Sequence, residues 1–293
     1  MKGMPRIWTR RARAALLGAV AIAILSGASG ESVAAAEVPF LAHLAVYDLT
    51  LTKSRRSPAL DAARGRILYN FAGSPCEGYT TDMRHVVQLE VGEGRVTLSD
   101  QRATSFEDGD GKTYRFRMET RKDNEVTSIV DGVAERGAGG VTVSLAKPAA
   151  KIVMLPAGTV FPTEQMRRII AAARGGKSLL ELDIYDGSDT GEKAYHTLTV
   201  IGRPIAADQA PSQSDAVSGD PSLAKFTRWP VTVSYYERND GAKRGEDTPV
   251  YAMAFELYEN GVTRALSLDY NDFVLGGAMT KFEVRSGRPC KDG

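Results

Sequence analysis

The chain has 293 residues, a length that fits one large domain or two small ones. Lys and Arg number 37 against 36 Asp and Glu, and a formal charge of +1 excludes a polyanion binder built on a concentrated basic field, so no nucleic-acid partner is expected. With 43% hydrophobic and 25% charged residues, the composition excludes a disordered chain and a multi-span membrane protein.

The first elements in chain order form an address. Arg6, Arg10, Arg11 and Arg13 precede an apolar stretch from Ala14 to Leu25, and small residues end at Ala34-Ala35-Ala36. Basic, apolar, then A-x-A is the pattern of a secretory signal peptide, and the stretch is shorter than the roughly 20 residues a membrane span needs. The competing reading is an N-terminal anchor. No Cys follows the apolar run, so no lipid-attachment site is present. Cleavage is expected after Ala36, making residues 1–36 the signal and 37–293 a single mature β-rich domain. The removed segment holds five basic residues and one acid, Glu31, so the mature chain carries −3 and has no electrostatic reason to sit on an anionic membrane. Nothing else in it approaches a membrane span.

Period-two alternation follows. Strands are predicted over 43–51, 66–72, 79–91, 95–106, 113–120, 126–133, 141–145, 152–155, 179–185, 195–201, 230–237, 249–259, 262–269 and 279–284. Turn signals such as Gly92-Glu93-Gly94, Asp108-Gly109-Asp110-Gly111 and Asn260-Gly261 separate them. Many short strands joined by tight turns predict an all-β, mainly antiparallel fold.

One helix interrupts the strands, at about 163–174. Pro162-Thr163-Glu164-Gln165 reads as a start signal with Thr163 as N-cap; Met166, Ile169, Ile170 and Ala173 form one apolar face, and Gly175-Gly176 is the stop. Its basic face of Arg167, Arg168 and Arg174 reads as solvated. From Ala206 to Lys225 the alternation lapses into a long loop, with a short helix expected at Ser222–Phe226.

Cys76 and Cys290 are the only two cysteines. An even count in an exported chain predicts a disulfide, and no C-x-x-C spacing marks a redox pair. The bridge would pin the C-terminus to the body.

Catalytic signals are sparse. His43, His85 and His196 are scattered among strand residues, without H-E-x-x-H or any metal-ligand spacing, and G-x-S-x-G is absent. The acidic run Asp186 to Glu192 superficially suggests a calcium loop, but a tight hairpin between Tyr185 and Tyr195 accounts for it without metal. No catalytic residue, metal ligand or cofactor site is therefore assigned. A hydrolase using acids such as Asp183 or Glu256 stays open, because sequence does not show carboxyl separation.

The apolar residues are more distinctive. Trp229, Val231, Val233 and Tyr235 share one strand face, and Tyr251, Met253, Phe255 and Leu257 share another. They read either as the core of a sandwich or as a concave apolar surface that accepts a lipid or a peptide, with the 206–225 loop near its mouth.

Long stretches of the chain resemble the cell envelope integrity protein EipB family of Gram-negative, mainly alphaproteobacterial, cells. They are HLAVYDLTLT (43–52), GSPCEGYT (73–80), YDGSDTGEKAYHTLTVIG (185–202), WPVTVSYY (229–236) and PVYAMAFELYENGVTRALSLDYNDFV (249–274). The resemblance implies a soluble periplasmic protein, a spiral-like, partly open β-barrel with the helix packed against it, and a role in envelope integrity. It also places both cysteines where the family's disulfide pair is expected. The function expected is non-enzymatic envelope maintenance, through an apolar envelope ligand or a periplasmic protein partner held on the concave β-surface. The rival reading is an interaction module with a filled core.

Overall fold

Alternating side chains give a strand two faces, and this chain uses them to build one long sheet. The computed structural model describes residues 38–55, 60–92, 94–211, 215–237, 248–287 and 290. The export-signal reading of residues 1–36 lies outside them.

The first arm of the sheet comprises β1 (His43–Ser54), β2 (Leu60–Ser74), β3 (Gly78–Val91), β4 (Arg95–Glu107), β5 (Thr113–Lys122), β6 (Glu125–Gly137), β7 (Gly140–Lys147) and β8 (Lys151–Leu155). Helix α1 (Pro162–Arg174) follows. The second arm comprises β9 (Leu179–Ile184), β10 (Tyr195–Ile201), β11 (Arg228–Glu237), β12 (Tyr251–Tyr258), β13 (Thr263–Asp269) and β14 (Phe273–Val284). Every strand pairs antiparallel with its sequence neighbour within its arm, and β1 pairs with β14 to join the arms. The order is β8-β7-β6-β5-β4-β3-β2-β1-β14-β13-β12-β11-β10-β9, an open fourteen-stranded sheet with β8 and β9 at its two edges. The chain crosses from one edge to the other through α1. The all-β, partly open barrel reading therefore holds.

Strand bounds reach further than the alternation predicted in β2 and β14. In β14 the reason is Gly277, which is the cross-strand partner of both Leu49 and Leu266. A Cβ there would stand 3.0 Å from the side chains of each, so only glycine fits between them, and glycine weakens the sequence signal for a strand.

The main core gathers Ala45, Tyr47, Leu49 and Ile67 from the first arm with Val231, Phe255, Leu257 and Leu268 from the second, and with Ile169 and Ile170 of α1. A second core lies under β5–β8 and contains Tyr114, Phe116, Val143 and Tyr185. The segment 185–194 fills this second core, and here the expected tight hairpin is corrected. Gly187, at φ +74°, places its backbone against the Phe116 ring, where a Cβ would come within 2.4 Å. The Tyr185 hydroxyl donates to Gly191 O at 2.7 Å, and the Tyr114 hydroxyl donates to Asp186 O at 3.1 Å. The loop is long because it closes a lobe, and its acids are engaged within the fold: Asp186 accepts from Ser188 N, Asp189 pairs with Lys193, and Glu192 pairs with Lys151 of β8.

Helix α1 begins at Pro162 with Phe161 as N-cap, and Phe161 offers no side-chain cap. Thr163 is thus not the cap. Glu107 of β4 takes that role from across the structure, accepting Thr163 N at 2.7 Å and Glu164 N at 2.9 Å. The basic face is used within the fold. Arg167 donates to Gly109 O and lies over the Tyr79 ring, while Arg168 pairs with Glu164 and Arg174 with Glu259.

Cys76, in the β2–β3 turn, and Cys290, beyond β14, lie at disulfide distance with Cα atoms 5.7 Å apart. The turn nests against the β4–β5 turn, since a Cβ on Gly109 would overlap Pro75 O. Arg167 in turn holds Gly109, so the C-terminus, two hairpins and α1 meet at one corner.

Candidate functional site

The two apolar strand faces are neighbours. Strands β11 and β12 pair in a register that sets Trp229 beside Leu257, Val231 beside Phe255, Val233 beside Met253 and Tyr235 beside Tyr251. Cross-strand partners share a face, so the eight residues form one wall of four rungs. The wall changes character along its length. Trp229 and Leu257 are 4% and 0% exposed, and Val231, Phe255 and Val233 are buried too. Tyr235, Tyr251 and Met253 are half-buried. Five of the eight predicted residues are therefore core, and three line a surface.

Around those three runs a ladder of rings. Tyr195, Tyr235, Tyr251, Tyr270 and Phe273 follow one another with centroids 6.5, 5.7, 5.1 and 5.0 Å apart. All five are half-buried. Leu51, Leu89, Val91, Met166 and Leu180, from β1, β3, α1 and β9, are further half-buried apolar residues packed against the main core. Burial raises the phenol pKa values of Tyr235 and Tyr251 far above their ordinary range, and that of Tyr270 to about 12, so these hydroxyls are neutral at any physiological pH.

The 206–225 loop lies at the other end of the wall, not near the Tyr235–Tyr251 rung. Pairing between β13 and β14 covers only Leu266–Asp269 with Val274–Gly277. Beyond it the loop takes over, and Ala216 N donates to Met279 O at 3.0 Å. Val217 and Leu223 enter the main core, and Asp215 pairs with Arg264 at 2.8 Å, with side chains 7% and 2% exposed. Arg228 donates to Gln209 O and binds Glu256. The loop is a filler of a split in the barrel wall. Residues 222–225 form turns, not the expected short helix.

The scattered titratable groups stay apart. His43 Nδ1 lies 2.7 Å from Leu41 O, and His196 Nδ1 lies 3.0 Å from Asp183 Oδ1. Burial lowers the pKa values of His43 and His85, which keeps both rings neutral. Asp183 and Glu256 sit on β9 and β12, with β10 and β11 between them, so the structure does not bring them together.

Two residues that sequence reasoning passed over stand out beside the wall. Gln165 of α1 is 93% buried with its amide against the Tyr235 hydroxyl, and Thr199 of β10 is fully buried with no hydrogen-bond partner at Oγ1. The signal was a polar residue inside the apolar stripe, since Gln165 precedes Ile169 by one helical turn.

An antiparallel, open fourteen-stranded sheet with an inserted helix and a half-buried aromatic inner face defines a β-barrel-like protein. The chain belongs to the EipB-like family, whose model matches residues 34–286. It is 35% identical over 274 residues to the cell envelope integrity protein EipB of Brucella abortus (strain 2308), covering 94% of each chain. It is also similar to the crystal structure of a β-barrel-like protein of a domain of unknown function from Brucella abortus. That match has a TM-score of 0.76 and 34% identity, over 85% of this chain and 100% of the other.

Proposed function

We propose that this protein is exported to the periplasm, loses residues 1–36, and maintains cell envelope integrity without catalysis by binding an apolar envelope ligand on its inner face. The observation that carries the reading is the half-buried end of the β11–β12 wall, where Tyr235, Tyr251 and Met253 continue a packed core and keep part of their surface exposed. Partly exposed apolar surface of this kind suits a lipid chain. The envelope role draws on the similarity to the Brucella protein bearing that name. Among the described residues no helix is long and apolar enough to cross a membrane.

The test is native mass spectrometry of protein taken from its own periplasm, together with titration of a long-chain lipid into the purified mature chain. A bound lipid, displaced by Met253→Trp, is the expected result. Trp229, at 4% exposure, is a core residue and a poor reporter, so mass and lipid fluorescence are the readouts. A lipid-free protein that co-purifies with a stoichiometric protein partner would favour the interaction module. The burial of Trp229, Val231, Val233, Phe255 and Leu257 is the observation in favour of that second reading.

A further inference from the structure

Cross-strand partners on consecutive antiparallel strands share a face, so the register shows which side chains stand in a row. On the inner face of the first arm one row is polar. His85 of β3 is the partner of Gln101 of β4, Gln101 of Thr120 of β5, and Thr120 of Ser128 of β6. The row runs from Ile67 of β2, a main-core residue, out to exposed Ser128, with His85, Gln101 and Thr120 half-buried between them. It faces inward because Met83 and Val87, two residues to either side of His85, belong to the packing of the main core. The adjoining row of Met83, Ala103 and Met118 is apolar. Polar groups at this depth are nearly always bonded, yet the described residues supply no partner. His85 Nε2 is buried without a hydrogen bond. His85 Nδ1, the Gln101 amide and the Thr120 hydroxyl are also unbonded among the described residues, and they keep access to solvent.

We propose that His85, Gln101 and Thr120 form a recognition row for the uncharged, hydroxyl-bearing head of an acyl lipid whose chain lies on the apolar part of the inner face. This inference rests on the apolar-ligand reading and adds the chemistry of the head. Burial keeps the His85 ring neutral, so it carries one donor and one acceptor nitrogen. The Gln101 amide and the Thr120 hydroxyl likewise both donate and accept. A hydroxyl does the same, whereas a carboxylate only accepts and an ammonium only donates. Charge is also scarce here. The polar row and the Met83–Met118 row carry none, and the row on the other side, Val87 and Ser99, ends in exposed Lys122 at the end of β5. A charged head set on the polar row would give up water without meeting an opposite charge, which is costly. The chain has apolar surface to lie on, since Met83 packs against the same main core as Tyr235, Tyr251 and Met253.

The experiment compares three probes of one chain length, 1-decanoylglycerol, methyl decanoate and decanoate, each displacing an apolar dye from the mature full-length protein. The first two share chain and ester and differ in the free hydroxyls. Decanoylglycerol is expected to bind about tenfold more tightly than methyl decanoate, the worth of one hydrogen bond gained, and more tightly than decanoate. His85→Leu, Gln101→Leu and Thr120→Val should each reduce the ratio of the two ester affinities toward one while leaving methyl decanoate affinity unchanged, and Thr120→Ser should retain the ratio. Should His85→Leu fail to fold, the native ratio and the Gln101 and Thr120 variants still decide. A native ratio near one, a preference for decanoate, or a ratio indifferent to the substitutions overturns the recognition row and leaves the apolar-ligand reading standing. Binding of none of the three probes overturns that reading, and this inference with it.

Discussion

Glu107 on β4 accepts the backbone N–H of Thr163 at 2.7 Å, so the first turn of α1 is capped by a carboxylate 56 residues away in the chain. The second carboxylate oxygen takes Glu164 N at 2.9 Å. The two bonds fix the helix to the sheet, and they offset only part of the cost of burying a charge at this position. Arg136 strengthens the attachment by pairing with Glu164 at 2.7 Å and donating to Thr159 O at 2.8 Å.

This cap makes stability depend on pH. Burial pushes the Glu107 carboxyl up to about 7, against the lowering effect of its bonds to Thr163 and Glu164 and of nearby Arg167. The folded state then holds this proton more tightly than the unfolded state. The resulting stability is complete below the ordinary value of 4.5 and is lost as pH rises through 7. Between pH 5.5 and 8 the loss is on the order of 2 kcal/mol. Chemical denaturation of the native protein and of Glu107→Gln across this range should show that slope in the native protein alone. His43 and His85, held neutral by burial, act in the opposite sense in both proteins and cancel in the difference.

The cysteine pair spans 214 residues of sequence. Closing so long a loop in the unfolded chain stabilises the fold by up to about 5 kcal/mol. Reduction should lower the melting temperature, and thiol titration of the unreduced protein should find no free thiol. Two free thiols would be incompatible with the bridge.

Asp215→Ala should cost about 3 kcal/mol, because buried Arg264 loses the nearer of its two carboxylates and keeps Glu256 at 3.7 Å. It should also release the filler loop, so limited proteolysis under native conditions should cut within 206–225 much faster than in the native protein. Lys281→Ala is the control. Its pair with Glu283 at 2.7 Å is solvent-exposed, and its removal should change stability by less than about 0.5 kcal/mol.

Gly187→Ala should destabilise by about 2 kcal/mol, since the new Cβ meets the Phe116 ring and the backbone is in the left-handed region. Phe116→Leu in the same chain should recover part of the loss by making room. Urea unfolding of the two variants and the double variant measures the coupling. Simple additivity would mean that the ring is not the obstacle.

Much of this architecture is written locally. Alternation over runs such as 79–91 and 195–201 commits the backbone to strands, because each residue must face one side or the other. The three- and four-residue spacing of Met166, Ile169, Ile170 and Ala173 commits α1 in the same way. The eight wall residues were legible as two alternating runs, and their assembly into rungs followed once β11 and β12 paired as neighbours. What no local pattern carries is the closure of the sheet. Tyr235 is half-buried and Val231 buried, a difference along one strand face that the alternation, the same at both positions, does not carry. The Glu107 cap, the Asp215–Arg264 pair and the seat of Gly187 on Phe116 each join residues that meet only after the arms have curled. Gln165 and Thr199 belong with them. Either residue is ordinary in sequence, and only folding buries the Gln165 amide against the Tyr235 hydroxyl and the Thr199 hydroxyl inside the sheet.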